Sequence, residues 1–269
     1  MKTRAITGFF FIVVMLASVL LGHYVFGAFY LVLSLLCLRE FYSLVKQGGI
    51  STNQLAGFAS GAIIYASFAL ISANVLVPYQ KYIFLLTLTV TAVFIQELFK
   101  KEPAPFTNIA YTFLGLVLVI APFSFFHALA YLGNSFNFHF PLAFLLMLWA
   151  NDTGAYLCGM AFGRNKLFER HSPKKTWEGF IGGVLIAAGV GAVIGHFYTE
   201  LPWMQWAIVG VIIGTVGTMG DLVESMLKRS LNVKDSGSLL PGHGGLLDRF
   251  DGLFLAVPIV YTYLYLITN

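Results

Sequence analysis

Charged and glycine residues are concentrated between Ser225 and Asp251, in a chain of which only 10% is charged. This segment ends in Pro-Gly-His-Gly-Gly-Leu-Leu-Asp-Arg-Phe-Asp. Its glycines let the backbone approach a ligand closely and present amides to phosphate oxygens. Asp248 and Asp251 are three residues apart, so at the start of a helix they lie on one face and can hold a hard cation, for which Mg²⁺ is the natural choice. The segment therefore predicts metal-assisted phosphate chemistry.

Three further acidic residues extend this candidate site. Asp221 ends an apolar run and faces the loop that holds the other aspartates, which favours a metal role for it. Glu224 follows about one helical turn later, where it is either part of the site or half of an ordinary ion pair with Lys228. Asp152 lies within an apolar run, where a carboxylate is costly unless it faces the protein interior, a polar cavity or a cation. Asp152 is therefore a candidate site residue or an interhelical hydrogen-bonding residue.

A second group of basic residues lies between residues 163 and 179. Arg164, Lys166 and Arg170 are explained as determinants of membrane topology. The Ser-Pro-Lys-Lys-Thr sequence that begins at Ser172 combines a rigid turn, two hydroxyls and two ammonium groups ahead of a helix N-terminus. Such a combination is suited to binding phosphate.

Membrane helices must position these residues. The chain has 269 residues, is 58% hydrophobic and has a mean hydropathy of +0.80, whereas the apolar share of soluble domains is roughly 45–50%. One span takes roughly 20 residues. We therefore predict an all-α, polytopic integral membrane protein with about nine transmembrane helices. The predicted spans are residues 6–21, 24–45, 55–76, 82–98, 109–130, 141–160, 180–197, 203–222 and 252–267.

The basic residues predict the orientation of these spans. If the N-terminus is cytoplasmic and the spans alternate, all 16 Lys and Arg residues except Lys81 fall on the cytoplasmic side. This partition follows the positive-inside rule, and one span more or fewer before the middle of the chain would destroy it. We therefore expect the C-terminus on the outside.

The two halves of the chain differ in chemistry. Residues 1–140 contain no Asp and are predicted to form a membrane scaffold. Residues 141–269 contain every Asp and the two longest cytoplasmic loops, at about residues 163–179 and 224–251, and are predicted to be the catalytic half. The formal charge of +4 does not indicate nucleic acid, because basic loops beside anionic lipid headgroups explain the excess. Cys37 and Cys158 lie in separate apolar spans and are predicted to be packing residues.

These motifs resemble the signature of the phosphatidate cytidylyltransferases, which are also called CDP-diacylglycerol synthases. The resemblance covers roughly residues 150–254 and includes the segments 152–156, 172–179 and 220–225. In the first half of the chain it extends only to hydropathy, length and the number of spans. The other matching residues are Lys228, Arg229, Lys234, Asp235, Gly237, Pro241, His243, Gly244, Gly245, Asp248, Arg249 and Asp251.

The resemblance implies that CTP and phosphatidate react to give CDP-diacylglycerol and pyrophosphate, with Mg²⁺ required and a monovalent ion such as K⁺ as a candidate second cation. The catalytic residues would be Asp221, Asp248, Asp251, Lys228 and Arg229. The three aspartates would also be the metal ligands, with Asp152 as a further candidate. The substrate-binding residues would be Ser172, Lys174, Lys175, Thr176, Lys234, Asp235, His243, Gly244, Gly245 and Arg249. The resemblance further implies a homodimer. In a bacterium it would lie in the cytoplasmic (inner) membrane with its active site facing the cytoplasm, whereas a eukaryotic relative would lie in an endomembrane.

Two other functions use similar residues. A CTP-dependent lipid kinase would transfer the γ-phosphate instead of the cytidylyl group. An ion-coupled transporter would use Asp152 and Asp221 as a relay, but charges at the cytoplasmic ends of spans and long polar loops argue against transport. The spaced aspartate motif of the CDP-alcohol phosphotransferases does not occur in the sequence.

Overall fold

The structure is a computed structural model that describes residues 2–73, 80–133, 135–233, 236–237 and 244–268. The described part is almost entirely helical. Its helices are α1 (Lys2–Leu20), α2 (His23–Gln47), α3 (Gln54–Ser72), α4 (Gln80–Leu98), α5 (Pro105–Gly115), α6 (Ala121–Leu129), α7 (His139–Phe162), α8 (Trp177–Phe197), α9 (Trp203–Ser230) and α10 (Leu247–Thr268). A π-helical segment, Leu116–Ile120, joins α5 to α6, directly before Pro122, which has no backbone N–H to donate to the preceding turn.

Six of these helical stretches are long and apolar enough to cross a membrane. They are His23–Gln47, Gln54–Ser72, Pro105–Leu129, Trp177–Phe197, Trp203–Ser230 and Leu247–Thr268. Ile6–Leu20 and Phe84–Leu98 are shorter apolar helices. Within the described ranges, each predicted span overlaps a helix. The six long apolar helices show that the chain is a membrane protein.

A short β-hairpin interrupts the helical pattern between α7 and α8. Its strands are β1 (Lys166–Phe168) and β2 (Ser172–Thr176), which pair antiparallel with Lys166 opposite Thr176 and Phe168 opposite Ser172. From the sequence, this segment is predicted to be a loop, at about residues 163–179. The basic residues in it obscure the strand pattern, because Lys174 and Lys175 break the alternation of apolar and polar side chains that indicates a strand.

The chain divides into two compact units. Unit 1 comprises Met1–Asn137 and Ser230–Arg249, and unit 2 comprises Phe138–Arg229 and Phe250–Asn269. The first change of unit falls between residues 137 and 138, and residues 230–249 group with the N-terminal helices. The division into a scaffold half, 1–140, and a catalytic half, 141–269, concerns function and stays a prediction.

The core of unit 1 is built on α2. Phe26 and Tyr30 are fully buried against Phe126 of α6, with ring centroids 5.8 and 4.8 Å apart. Closer to the C-terminal end of the same helix, the hydroxyl of buried Tyr42 donates to the carbonyl oxygen of Thr112 at 3.0 Å. Burial of large aromatic rings contributes much of the packing energy of a core, so α2 is the central helix of this unit.

Unit 2 is held together by close contacts between helix backbones. A Cβ atom at Gly183 of α8 would lie 2.8 Å from the carbonyl oxygen of Asn151 in α7. A Cβ atom at Gly210 of α9 would lie 2.5 Å from the carbonyl oxygen of Ala187 in α8. Small residues allow such approaches, and they replace the hydrophobic driving force that is missing between helices in lipid.

We predict that Gly191→Ala in α8 lowers the midpoint of thermal unfolding, because its Cβ would overlap the carbonyl oxygen of Trp206. Gly189→Ala is the matched control in the same helix, since nothing lies within 4 Å of its Cβ position. Alanine is favoured over glycine inside a helix by roughly 0.5–1 kcal/mol, so the control should be unchanged or more stable. Thermal unfolding of both variants in detergent tests this, and equal midpoints would show that the contact is not tight.

Candidate active site

Unit 2 contains a cavity of about 440 Å³. One part of its lining is polar and consists of Asn151, Asp152, Lys174, Lys175, Thr176, Thr218, Asp221 and Asp251. The other part is apolar and consists of Ala155, Tyr156, Met160, Leu167 and Phe180. A lining divided in this way can accept an amphipathic ligand.

Three of the predicted aspartates line this single cavity. Asp152 comes from α7, Asp221 from α9 and Asp251 from the start of α10. Glycines bring the last two helices together, because a Cβ at Gly220 would overlap the carbonyl oxygen of Asp251. The sequence analysis had left Asp152 as either a site residue or a structural one, and its position on the cavity wall favours the first.

The β-hairpin supplies the cationic side of the cavity. Lys175 forms an ion pair with Asp221, with Nζ and Oδ2 2.6 Å apart. Both side chains are partly exposed, at 25% and 34%, so the pair should contribute at most about 1 kcal/mol to stability. Its main consequence is local, because it holds a positive charge beside a cavity carboxylate. Lys174 also lines the cavity, whereas Ser172 lies at the start of β2 and is not part of the lining.

Thr176 and Glu178 fix the hairpin to α8. The hydroxyl oxygen of Thr176 accepts from the amide of Gly179 at 3.2 Å and caps the helix. Glu178 accepts from the backbone amides of Arg164 and Asn165 at 3.1 and 3.2 Å, and from the side-chain amide of Asn165 at 2.7 Å. Thr176 was predicted to bind substrate, whereas this positioning contact of Glu178 was missed. An acidic residue in the first turn of a helix was the available signal.

Asn151 is a second cavity residue that the sequence analysis missed. It is 2% exposed, and its Nδ2 lies 3.5 Å from Oδ1 of Asp152. Across the residues that the structure describes, its buried Oδ1 has no hydrogen-bond partner. A buried polar atom without a partner is costly, so this oxygen is suited to accept from a ligand or water in the cavity.

Asp248 belongs to unit 1 and has a local structural contact. Its Oδ2 accepts from the amide of Gly245 at 3.0 Å, next to Gly244, which has a φ of +80°. Both glycines were predicted substrate-binding residues. This turn forms the entry to α10, so the aspartate that was predicted to bind metal also shapes the backbone before it.

Three other predicted residues that the structure describes, Lys228, Arg229 and Arg249, are not part of the cavity lining. Lys228 pairs with Glu224 at 2.7 Å, and the side chains are only 12% and 5% exposed, so this ion pair is buried instead of solvent-exposed. Arg229 and Arg249 are exposed. Lys234, Asp235 and His243 lie outside the described residues.

The donors of the cavity fit a magnesium ion. In the described ranges, no group of three or more His, Cys, Asp or Glu residues is close enough to hold a metal by itself. Mg²⁺ seldom needs such a group, because it usually binds one or two carboxylates and completes its shell with water and substrate phosphates. The carboxylates of Asp221 and Asp251 supply ligands of this kind. In the structure, the ammonium group of Lys175 is the cation that pairs with Asp221.

Comparison with known proteins identifies similar chains. A family model described as the cytidylyltransferase family matches residues 2–267. The phosphatidate cytidylyltransferase of Staphylococcus aureus (strain COL) is 34% identical over 262 residues, which cover 97% of each chain. The protein of the same name from Bacillus subtilis (strain 168) is 31% identical over 268 residues, which cover 97% of this chain and 96% of the relative.

Proposed function

Because the chain belongs to the cytidylyltransferase family, we propose that it transfers the cytidylyl group of CTP to phosphatidate, giving CDP-diacylglycerol and pyrophosphate. The cavity in unit 2 is the observation that carries this proposal. It combines three aspartates and two lysines with an apolar wall, which is the chemistry that a nucleotide and a lipid phosphate require together.

The reaction is an in-line displacement at the α-phosphorus of CTP. An oxygen of the phosphatidate phosphate forms the new P–O bond, and the bond from the α-phosphorus to the bridging oxygen of pyrophosphate breaks. The nucleophile is already ionised at neutral pH, so the site needs to position it and neutralise charge, and no strong general base is required. Lys174 and Lys175 stand at the cavity wall and would bind phosphate oxygens.

Asp221 and Asp251 would hold Mg²⁺, with Asp152 as a further cavity carboxylate. Asp248 stays in this proposed set on its sequence spacing from Asp251 alone. When bound, the metal would neutralise charge that develops on the phosphates. The family resemblance also allows a second, monovalent cation such as K⁺.

The apolar wall would receive the lipid. Met160 of α7 and Phe180 of α8 line the cavity beside Tyr156, and Tyr156 and Met160 are 64% and 63% exposed. In the proposed nine-span arrangement α7 crosses the membrane, so these exposed apolar side chains would face hydrocarbon. We therefore assign the entry of phosphatidate from the bilayer to the α7–α8 side of the cavity, with CTP bound at the polar part.

The finer membrane arrangement is part of the same proposal. It has nine spans with a cytoplasmic N-terminus and an outside C-terminus, in the inner membrane of a bacterium, so that the β-hairpin and its lysines face cytoplasmic CTP. The positive-inside partition of the Lys and Arg residues supports this orientation. A homodimer is proposed on the family resemblance.

Incubation with α-labelled CTP, phosphatidate and Mg²⁺ in detergent micelles tests the proposed reaction. We expect label in the lipid phase, and none when EDTA is present. A lipid kinase would instead transfer label only from γ-labelled CTP. Folded protein that leaves the lipid unlabelled in the first experiment would contradict cytidylyl transfer.

We predict that Asp221→Asn and Asp251→Asn each lower turnover on the order of 100-fold, the scale of losing one group that stabilises transition-state charge. Asp221 makes a partly exposed ion pair with Lys175 and a long hydrogen bond of 3.4 Å from the hydroxyl of Ser225, and an asparagine can still accept the latter, so its replacement should leave folding intact. Glu169→Gln, at an exposed carboxylate in the hairpin turn, is the control and should retain normal turnover. Steady-state rates and thermal unfolding of the three variants decide this, and near-normal turnover in either aspartate variant would refute its metal assignment.

Single-cysteine labelling tests the orientation. In a Cys158→Ser background, Glu169→Cys should be labelled from the cytoplasmic side and Thr199→Cys from the outside by a membrane-impermeant maleimide. Both positions are exposed, and Cys37 is buried. Labelling of both cysteines from one side would rule out the proposed topology.

A further inference from the structure

Glu40 is a buried carboxylate in α2 that the sequence analysis assigned to the scaffold. It is 9% exposed. Its Oε2 accepts from the amide of Leu246 at 2.8 Å, and its Oε1 accepts from the amide of Leu247 at 3.4 Å and from the hydroxyl of Ser236. All of these residues belong to unit 1. One side chain of α2 therefore binds both ends of the glycine-rich segment that precedes α10.

These contacts cap α10, which begins at Leu247. The first amides of a helix have no partner inside the helix, and the partial positive charge there favours an anion. Capping side chains normally come from the residues next to the helix start. Here a carboxylate 206 residues earlier in the chain accepts from the amide of Leu246, so the start of α10 is fixed to α2.

The glycines around Glu40 show how closely the segment packs on this carboxylate. A Cβ at Gly237 would lie 2.9 Å from Cδ of Glu40. A Cβ at Gly245 would overlap both Oε1 of Glu40 and the hydroxyl of Ser236. Glycine at position 245 is therefore explained by the space that Glu40 occupies, in addition to any contact with substrate.

Asp248 is bound to the same stretch of backbone. Asp248 is the next residue in the chain after Leu246 and Leu247, whose amides donate to Glu40. Its own Oδ2 accepts from the amide of Gly245 at 3.0 Å. A shift of the backbone from Gly245 to Leu247 would therefore move the carboxylate of Asp248. A misplacement of about 1 Å in a catalytic site can cost on the order of 100-fold in rate.

We propose that Glu40 is a positioning residue for cytidylyl transfer, which holds Asp248 in place through the backbone of residues 245–247. The inference rests on the proposed function, in which Asp248 belongs to the set of residues that would hold Mg²⁺. Glu40 itself touches only the protein, so its effect on the reaction is exerted through the turn before α10.

Glu40→Gln is the most informative variant. The carboxylate accepts from three donors through two oxygens, whereas a glutamine offers one oxygen and turns an NH₂ group toward the remaining donors. Glu97→Gln is the matched control. Glu97 is also buried in a helix of unit 1, but it accepts from Asn108 at 2.8 Å and pairs with Lys100 at 3.5 Å.

Two measurements are made on both variants and on the unsubstituted chain: kcat and KM for CTP, and hydrogen exchange of the amides of Leu246 and Leu247. We expect Glu40→Gln to lower kcat/KM by about 10- to 100-fold and to speed exchange at these amides. Glu97→Gln should change neither, even if it lowers thermal stability as much. If the yield of folded Glu40→Gln is too low for these measurements, Ser236→Ala is the alternative. It removes only the hydroxyl donor to Glu40 and should lower kcat/KM and speed amide exchange by smaller factors.

A combined substitution separates the contact from a general loss of stability. Gly245→Ala alone should be strongly impaired, because its Cβ meets the Glu40 carboxylate. Once Glu40→Ala and Ser236→Ala have together removed the carboxylate and the hydroxyl that this Cβ would overlap, adding Gly245→Ala should cause little further loss, so the effects are far from additive. Additive losses would overturn the inference, as would normal kinetics and exchange in Glu40→Gln.

Absence of cytidylyl transfer by the folded unsubstituted chain would instead refute the proposed function, whereas the exchange data would still report on the Glu40 contacts.

Discussion

A carboxylate beside hydrocarbon costs several kcal/mol unless it is paired or hydrogen-bonded, and this constraint shapes the described part of the chain. Three buried glutamates each bind a specific partner inside their own unit. Glu97 accepts from Asn108, Glu224 pairs with Lys228, and Glu40 accepts from the start of α10. The cavity aspartates differ from these glutamates because they line a space that a ligand can enter. These glutamates thus fix protein structure, whereas substrate and metal binding is the role that the proposed function gives to the cavity aspartates.

The family, the helical character and most of the polar lining of the cavity could be predicted from sequence. The prediction of a phosphatidate cytidylyltransferase relative is confirmed by the family match and by relatives of that name. Hydropathy located the helices because burial in lipid demands long apolar runs whatever their packing. Asp152, Asp221, Asp251, Lys174, Lys175 and Thr176 share the cavity lining, since polar residues are so scarce in this chain that their positions indicate a site.

The parts that were missed depend on contacts between residues far apart in the chain. Nothing in the sequence around Glu40 indicates that it caps a helix 206 residues later, because capping rules describe only neighbouring residues. The β-hairpin was missed for a different reason, since its lysines remove the alternating pattern of a strand. The Glu40 contacts lie within unit 1, which includes residues 230–249, and hydropathy does not report contacts of this kind.

The glycine contacts between α7, α8 and α9 limit how the binding cavity can diversify. Helix backbones in contact cannot move closer, and any larger side chain at Gly183 or Gly210 would force them apart. The spacing of these three helices is therefore set by backbone contacts at the glycines. At Tyr156 and Phe180, apolar residues of the cavity lining, a substitution would reshape the cavity proposed to bind lipid while leaving these glycine contacts in place.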